Sequence, residues 1–190
     1  MYKKLFTFLV FSLYVPLAAF SADDPSRARL YIPVSTNVTF EDCTTCEGKA
    51  SGYAARYVFG FGLGLGVASS KLAISSPNTN FYLDTGPMMD IGYTFGSDFT
   101  FTLGVGVGSS PTSDKFISGV NYKIEGKSAS TSFLGLGYSF GSIEILLALR
   151  NSSAKFDESY NISVLGMSFA ASYANEYEWQ TTDIGIGFTF

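Results

Sequence analysis

Between Tyr53 and Val67 the chain repeats with a period of two. The odd positions read Tyr53, Ala55, Tyr57, Phe59, Phe61, Leu63, Leu65 and Val67, whereas the even ones, Val58 apart, are Ala54, Arg56, Gly60, Gly62, Gly64 and Gly66. A strand sends successive side chains to opposite faces, so this stretch has one greasy face and one nearly bare face. The pattern recurs in Phe99, Phe101, Leu103, Val105 and Val107 against Thr100, Thr102, Gly104, Gly106 and Gly108. Leu134, Leu136, Tyr138 and Phe140 repeat it against Gly135, Gly137 and Ser139, as do Ile143, Ile145, Leu147 and Leu149 against Glu144 and Arg150. The last segment sets Ile184, Ile186, Phe188 and Phe190 against Asp183, Gly185, Gly187 and Thr189.

A soluble β-sandwich also alternates, but its outer face is rich in Lys and Glu. Here the second face is mostly Gly, Ser and Thr, which suits a narrow lumen better than a solvated surface. Aromatic residues gather near strand ends, Tyr93 with Phe95 and Tyr138 with Phe140, as in an interfacial girdle. The composition agrees: 46% of residues are hydrophobic and 16% aromatic, only 15% are charged, and after the N-terminal segment no apolar run is long enough for a spanning helix. A bilayer leaves no water for backbone groups, so a membrane chain without such helices has to close a sheet on itself. The predicted fold class is all-β, an antiparallel up-and-down transmembrane β-barrel.

At the N-terminus, Lys3 and Lys4 precede an apolar stretch from Leu5 to about Ala19, with small residues at Ser21 and Ala22. This reads as a cleaved signal peptide over 1–21, with the barrel domain over 22–190. The mature chain then carries 10 basic against 16 acidic residues, a balance that argues against nucleic acid as a partner.

A short repeat gives the topology. Ile91-Gly92-Tyr93-Thr94-Phe95, Leu136-Gly137-Tyr138-Ser139-Phe140 and Ile186-Gly187-Phe188-Thr189-Phe190 share one pattern, and the first two run into Gly96-Ser97 and Gly141-Ser142. These are the expected short turns at the periplasmic end, where the C-terminus also lies in bacterial barrels. The Ser- and Asn-rich stretches 69–80, 109–115 and 151–159 are expected as longer connections outside. Strand candidates fall at 30–40, 53–68, 81–95, 99–108, 116–125, 129–140, 143–151, 161–173 and 179–190. That is nine, whereas a single-chain bacterial barrel has an even number, so eight strands fits the length best, with ten as the alternative.

The signal peptide, the Gly-Tyr-x-Phe strand ends and the terminal alternating strand resemble the small outer-membrane barrel families of the OmpA-transmembrane-domain, OmpX and opacity-protein kind. The resemblance implies a bacterial outer-membrane location with lipid around the barrel. It also implies that Ile184, Ile186, Phe188 and Phe190 form the signal read by the barrel assembly machinery.

The chain has no histidine, which removes the general base of His-dependent barrel lipases, acyltransferases and proteases, so no enzyme is expected. No cofactor or metal is expected either. By parity the charged strand residues Arg56, Asp84, Asp90, Lys123, Glu125, Glu144, Arg150 and Asp183 fall on the non-lipid face. Charges in a confined lumen need partners, so several of them are expected to pair there, either gating a pore or only stabilising closure. Cys43 and Cys46 form a C-x-x-C in an exported chain, for which a local disulfide is expected rather than a metal or redox site. Two functional classes stay open: a structural or surface-interaction barrel, adhesin- or opacity-like, that meets a surface or host ligand through its loops, and a narrow channel for ions or small solutes.

Overall fold

The computed structural model describes residues 25–38, 46–75, 80–115, 121–164 and 167–190. The expected signal peptide and Cys43 of the expected disulfide lie outside these residues. The strands are β1 (Arg27–Asn37), β2 (Glu47–Val58), β3 (Leu63–Ser75), β4 (Asn80–Asp84), β5 (Met88–Phe95), β6 (Phe99–Gly108), β7 (Thr112–Ser113), β8 (Asn121–Phe140), β9 (Ile143–Val164) and β10 (Met167–Thr189). Every pairing is antiparallel, and β1 pairs with both β2 and β10, so the sheet closes on itself. Eight strands form the ring, because β4 and β7 continue β5 and β6 upward as separate short pieces rather than adding to the circumference.

This resolves the odd strand count. The segment 53–68 holds parts of two strands, β2 and β3, which reverse through Phe59–Gly62, where Gly62 takes a φ of +92° that an L side chain rarely adopts. The candidates 116–125 and 129–140 belong to one long strand, β8, as far as the chain is described, and 161–173 is divided between the end of β9 and the start of β10, so it adds no strand. Two stretches expected as loops, 69–75 and 151–159, are strand: they carry β3 and β9 onward, and Ser152, Ala154 and Phe156 keep the inward alternation.

The faces follow the sequence parity over most of the ring. Leu30, Ile32, Leu65, Ile91, Leu103, Leu134, Leu136, Ile145, Leu147, Ile184 and Ile186 are all between 40% and 60% exposed, although each lies mid-strand. These side chains form an outward apolar belt. At the end that holds the turns 59–62, 96–98 and 141–142, it is edged by aromatic pairs, Tyr57 with Phe59, Tyr93 with Phe95 and Tyr138 with Phe140, at 5.0, 4.7 and 4.5 Å between ring centroids. Beyond Leu134 and Leu149 the outward residues become Ser132, Ser130, Asn151 and Lys155, so β8, β9 and β10 rise past the belt as a polar extension.

Candidate functional site

The interior is filled by charge, arranged in two layers. In the layer nearer the short turns, Arg29 of β1 and Glu144 of β9 meet over Gly187 of the intervening β10 through two bonds, Nε to Oε2 at 2.7 Å and Nη2 to Oε1 at 2.6 Å. The guanidinium also donates to Thr94, Thr102 and Thr100 at 3.2, 2.7 and 3.0 Å, and the Thr100 hydroxyl donates to Glu144 at 2.8 Å. Lumen glycines make this crossing fit. A Cβ on Gly187 would stand 2.6 Å from Glu144 Oε2, and one on Gly137 would stand 2.6 Å from Oε1. The bare face seen in the sequence is therefore occupied space: the glycines give way to the long side chains of their neighbours.

The second layer lies toward the polar extension. Arg56 donates to Asp90 at 2.6 Å, and Arg150 donates to Asp183 at 2.9 Å while standing 3.7 Å from Asp90. Thr181 donates to the other Asp183 oxygen at 2.6 Å. Phe133 is wedged between the two guanidiniums, 3.7 Å from the Arg56 carbon and 5.3 Å from that of Arg150, a cation–π arrangement in a desolvated setting. Tyr31, Met88 and Leu146, buried beside these layers, belong to an apolar cluster that fills the space left over. Both charge layers exclude solvent, so the axis of the barrel is shut.

Five of the six residues expected in a lumen network, Arg56, Asp90, Glu144, Arg150 and Asp183, therefore point inward and pair. Asp84 does not join them. It lies half-buried on the face opposite to inward Leu83, and its Oδ1 accepts from the Gly86 backbone at 2.8 Å. Lys123 and Glu125 are likewise outward, with side chains 69% and 48% exposed, and pair with each other on the surface. The cause is the same in both places. One extra residue enters the strand, at Gly86–Pro87 between β4 and β5 and at Lys127 within β8, and each insertion moves the rest of the strand to the other face. Arg29 was missed because the first strand was expected to begin at residue 30. Arg27 and Arg29 alternate with Ala28 and Leu30, so the signal was present.

Above the charge layers a second apolar cluster lines the interior: Ala50, Leu72, Ile74, Leu83, Ala154, Phe156 and Trp179, with Phe81 and Ile124 packed against it. Trp179 donates its indole N–H to Ser70 at 2.9 Å. Beside this cluster the wall changes character. The β6–β8 ladder ends at the pair Gly108 and Ala129, and among the described residues no ladder joins β7 to β8 above it. Pro111, which has no N–H to give, is buried against Gly126 so closely that a Cβ on that glycine would overlap the Pro111 carbonyl. Among the described residues, β7 and β8 thus meet at a seam made by packing and not by a backbone ladder.

Past the seam, Glu158 of β9 is enclosed on the inner wall. It accepts from Tyr122, from Tyr177 at 2.8 Å, from Tyr173 at 3.2 Å and from the Lys115 ammonium at 2.9 Å. Burial raises its pKa, but hydrogen bonds from Tyr122, Asn175, Lys115 and Tyr177 to the charged form outweigh burial and bring it down to about 2. Burial and the neighbouring carboxylate push the Tyr122 and Tyr177 hydroxyls up, so they stay protonated donors.

The assembly residues expected from resemblance, Ile184, Ile186, Phe188 and Phe190, stand in one outward row on β10, 45%, 44%, 51% and 67% exposed. No protein-family model matches the sequence, and no curated protein does. Among solved structures the chain is similar to the outer membrane protein OprG from Pseudomonas aeruginosa, with a TM-score of 0.55 and 14% identity over 88% of this chain and 96% of that one. It is also similar to the outer membrane protein AlkL, with a TM-score of 0.50 and 11% identity over 88% of this chain and 90% of that one. This chain has the fold of an outer-membrane β-barrel. At 14% and 11% identity the likeness reaches the architecture and no finer division, so the expected kinship with the OmpA, OmpX and opacity-protein kinds is not shown.

Proposed function

We propose that this protein is a non-enzymatic barrel of the bacterial outer membrane that passes small, largely apolar solutes from outside into the membrane through the β7–β8 seam. One observation carries the reading: the apolar cluster of Leu72, Leu83 and Phe156 adjoins a described stretch of wall without a ladder, between β7 and β8, while the axis below it is closed by ion pairs. An ion or sugar would have to displace Arg29, Glu144, Arg56 and Asp90 from full contact with one another. An apolar solute meets side chains of its own kind and has a sideways route on which no backbone hydrogen bond need break. The outward belt and its aromatic edge support the membrane location, and the terminal row on β10 is suited to contact with the assembly machinery.

The test is a clamp across the seam. Thr112→Cys with Lys127→Cys, in a Cys43→Ser/Cys46→Ser background, would be joined by a short bis-maleimide. Reconstituted vesicles should take up a small aromatic hydrocarbon faster than protein-free vesicles, and the clamp should remove that gain while leaving the heat-modifiable band intact. Equal uptake with and without the clamp refutes the lateral route.

A surface-interaction role is the second reading. It is favoured by the charged outer face of the polar extension, where Lys127 bridges Asp157 and Lys155 bridges Glu176 at 3.1 and 3.2 Å.

A further inference from the structure

The Glu158 enclosure has the chemistry of a cation site. Its side chain has no solvent exposure and stays ionised, with every named donor turned toward it. Around the Lys115 ammonium stand the rings of Phe81, Tyr122 and Tyr177, at 5.6, 5.7 and 5.9 Å from Nζ. One carboxylate and several ring faces recognise an organic ammonium, by charge and by cation–π attraction. A bare divalent metal would instead ask for several carboxylate ligands, and no group of three or more potential ligating residues exists among the described residues.

We propose that this enclosure is a binding site for a small primary alkylammonium ion, and that Lys115 occupies it as an internal stand-in. The acceptor and its tyrosines are held without Lys115. Glu158 and Tyr173 are a register pair in the β9–β10 ladder, Tyr122 comes from β8, and Tyr177 stands four residues beyond Tyr173 along β10, at the same parity. Lys115 instead arrives from across the seam, two residues past β7, and its side chain is 20% exposed, so it can withdraw without dismantling the pocket. All of these groups face the barrel interior, which assigns the ligand to a free solute rather than to a lipid headgroup outside the wall. A soluble amine carrying a short alkyl chain matches the four-carbon stem that Lys115 lays into the site. The inference stands apart from the transport reading, because binding can be measured on protein that moves nothing.

Titrating n-butylammonium chloride into Lys115→Ala protein in non-ionic micelles, at matched ionic strength, should perturb tyrosine ring resonances at least tenfold more tightly than in wild type. Butanol and butyrate should not saturate. Adding Glu158→Gln to Lys115→Ala should abolish the response. If Lys115→Ala does not fold, Lys115→Gln keeps much of the stem and should give the same ranking. Equal responses to butylammonium and butanol, or an unchanged response after Glu158→Gln, would overturn the assignment.

Discussion

Arg29 and Glu144 are 115 residues apart in sequence and meet in a two-point ion pair from which solvent is excluded at both ends. Removing one partner leaves the other buried and uncompensated, a loss of about 3–5 kcal/mol for such pairs. Glu144→Ala should therefore lower the urea midpoint of the folded barrel in micelles substantially. Arg29→Met combined with Glu144→Leu should recover most of the loss, since two apolar side chains of similar volume need no partner. A double variant as unstable as the single one would show that the threonines around the pair, not the pair itself, carry the stability.

The two charge layers close the axis in series, and that arrangement fixes a conductance pattern. Wild-type protein in planar bilayers should be silent. Glu144→Ala alone leaves the Arg56–Asp90–Arg150–Asp183 layer shut, and Arg150→Ala alone leaves Arg29–Glu144 shut, so both should stay near silence. The Glu144→Ala/Arg150→Ala double variant should show stable ion steps. Opening by either single variant would mean that one layer alone is the barrier.

How much of this was legible beforehand depended on strand regularity. Along 99–108, 134–140, 143–150 and 184–190 no residue is inserted, so parity placed the lipid and lumen faces as the structure has them. It failed for Asp84, Lys123 and Glu125, because a single inserted residue reverses every side chain beyond it without leaving any mark in the hydrophobic pattern. Which charges pair was out of reach for a different reason. The register around a closed ring sets which residues face one another across the lumen, and composition does not encode it. Nor could alternation alone tell that the lumen glycines seat Phe133, Arg29 and Glu144 rather than leave a hole.

That seating is directly testable at Gly104. A Cβ there would lie 2.3 Å from the Phe133 ring, 2.4 Å from the Ile91 carbonyl and 2.7 Å from Gly92 Cα, and two of these three neighbours are backbone. Gly104→Val should therefore prevent closure of the β5–β6–β8 wall, seen as loss of the heat-modifiable band on refolding. Gly135→Ala is the control, because its Cβ would meet ordinary contacts at 3.7 Å, and it should fold like wild type.

The Glu158 carboxyl sets the acid limit of the polar extension. Its folded pKa of about 2 lies below the ordinary 4.5, so the folded state favours the charged form. The stabilisation is complete above pH 4.5 and is lost as pH falls toward 2, the direction expected of a depressed carboxylate. Lowering pH through that window should release Lys115 and loosen the contact between the segment after β7 and the β8–β10 extension, read as faster amide exchange at Tyr122 and Tyr177. Glu158→Gln holds no charge to lose, so its exchange at those amides should already be fast at neutral pH and flat across the window. A wild-type profile as flat as that of Glu158→Gln would mean that the tyrosine hydroxyls hold the extension without help from the charge.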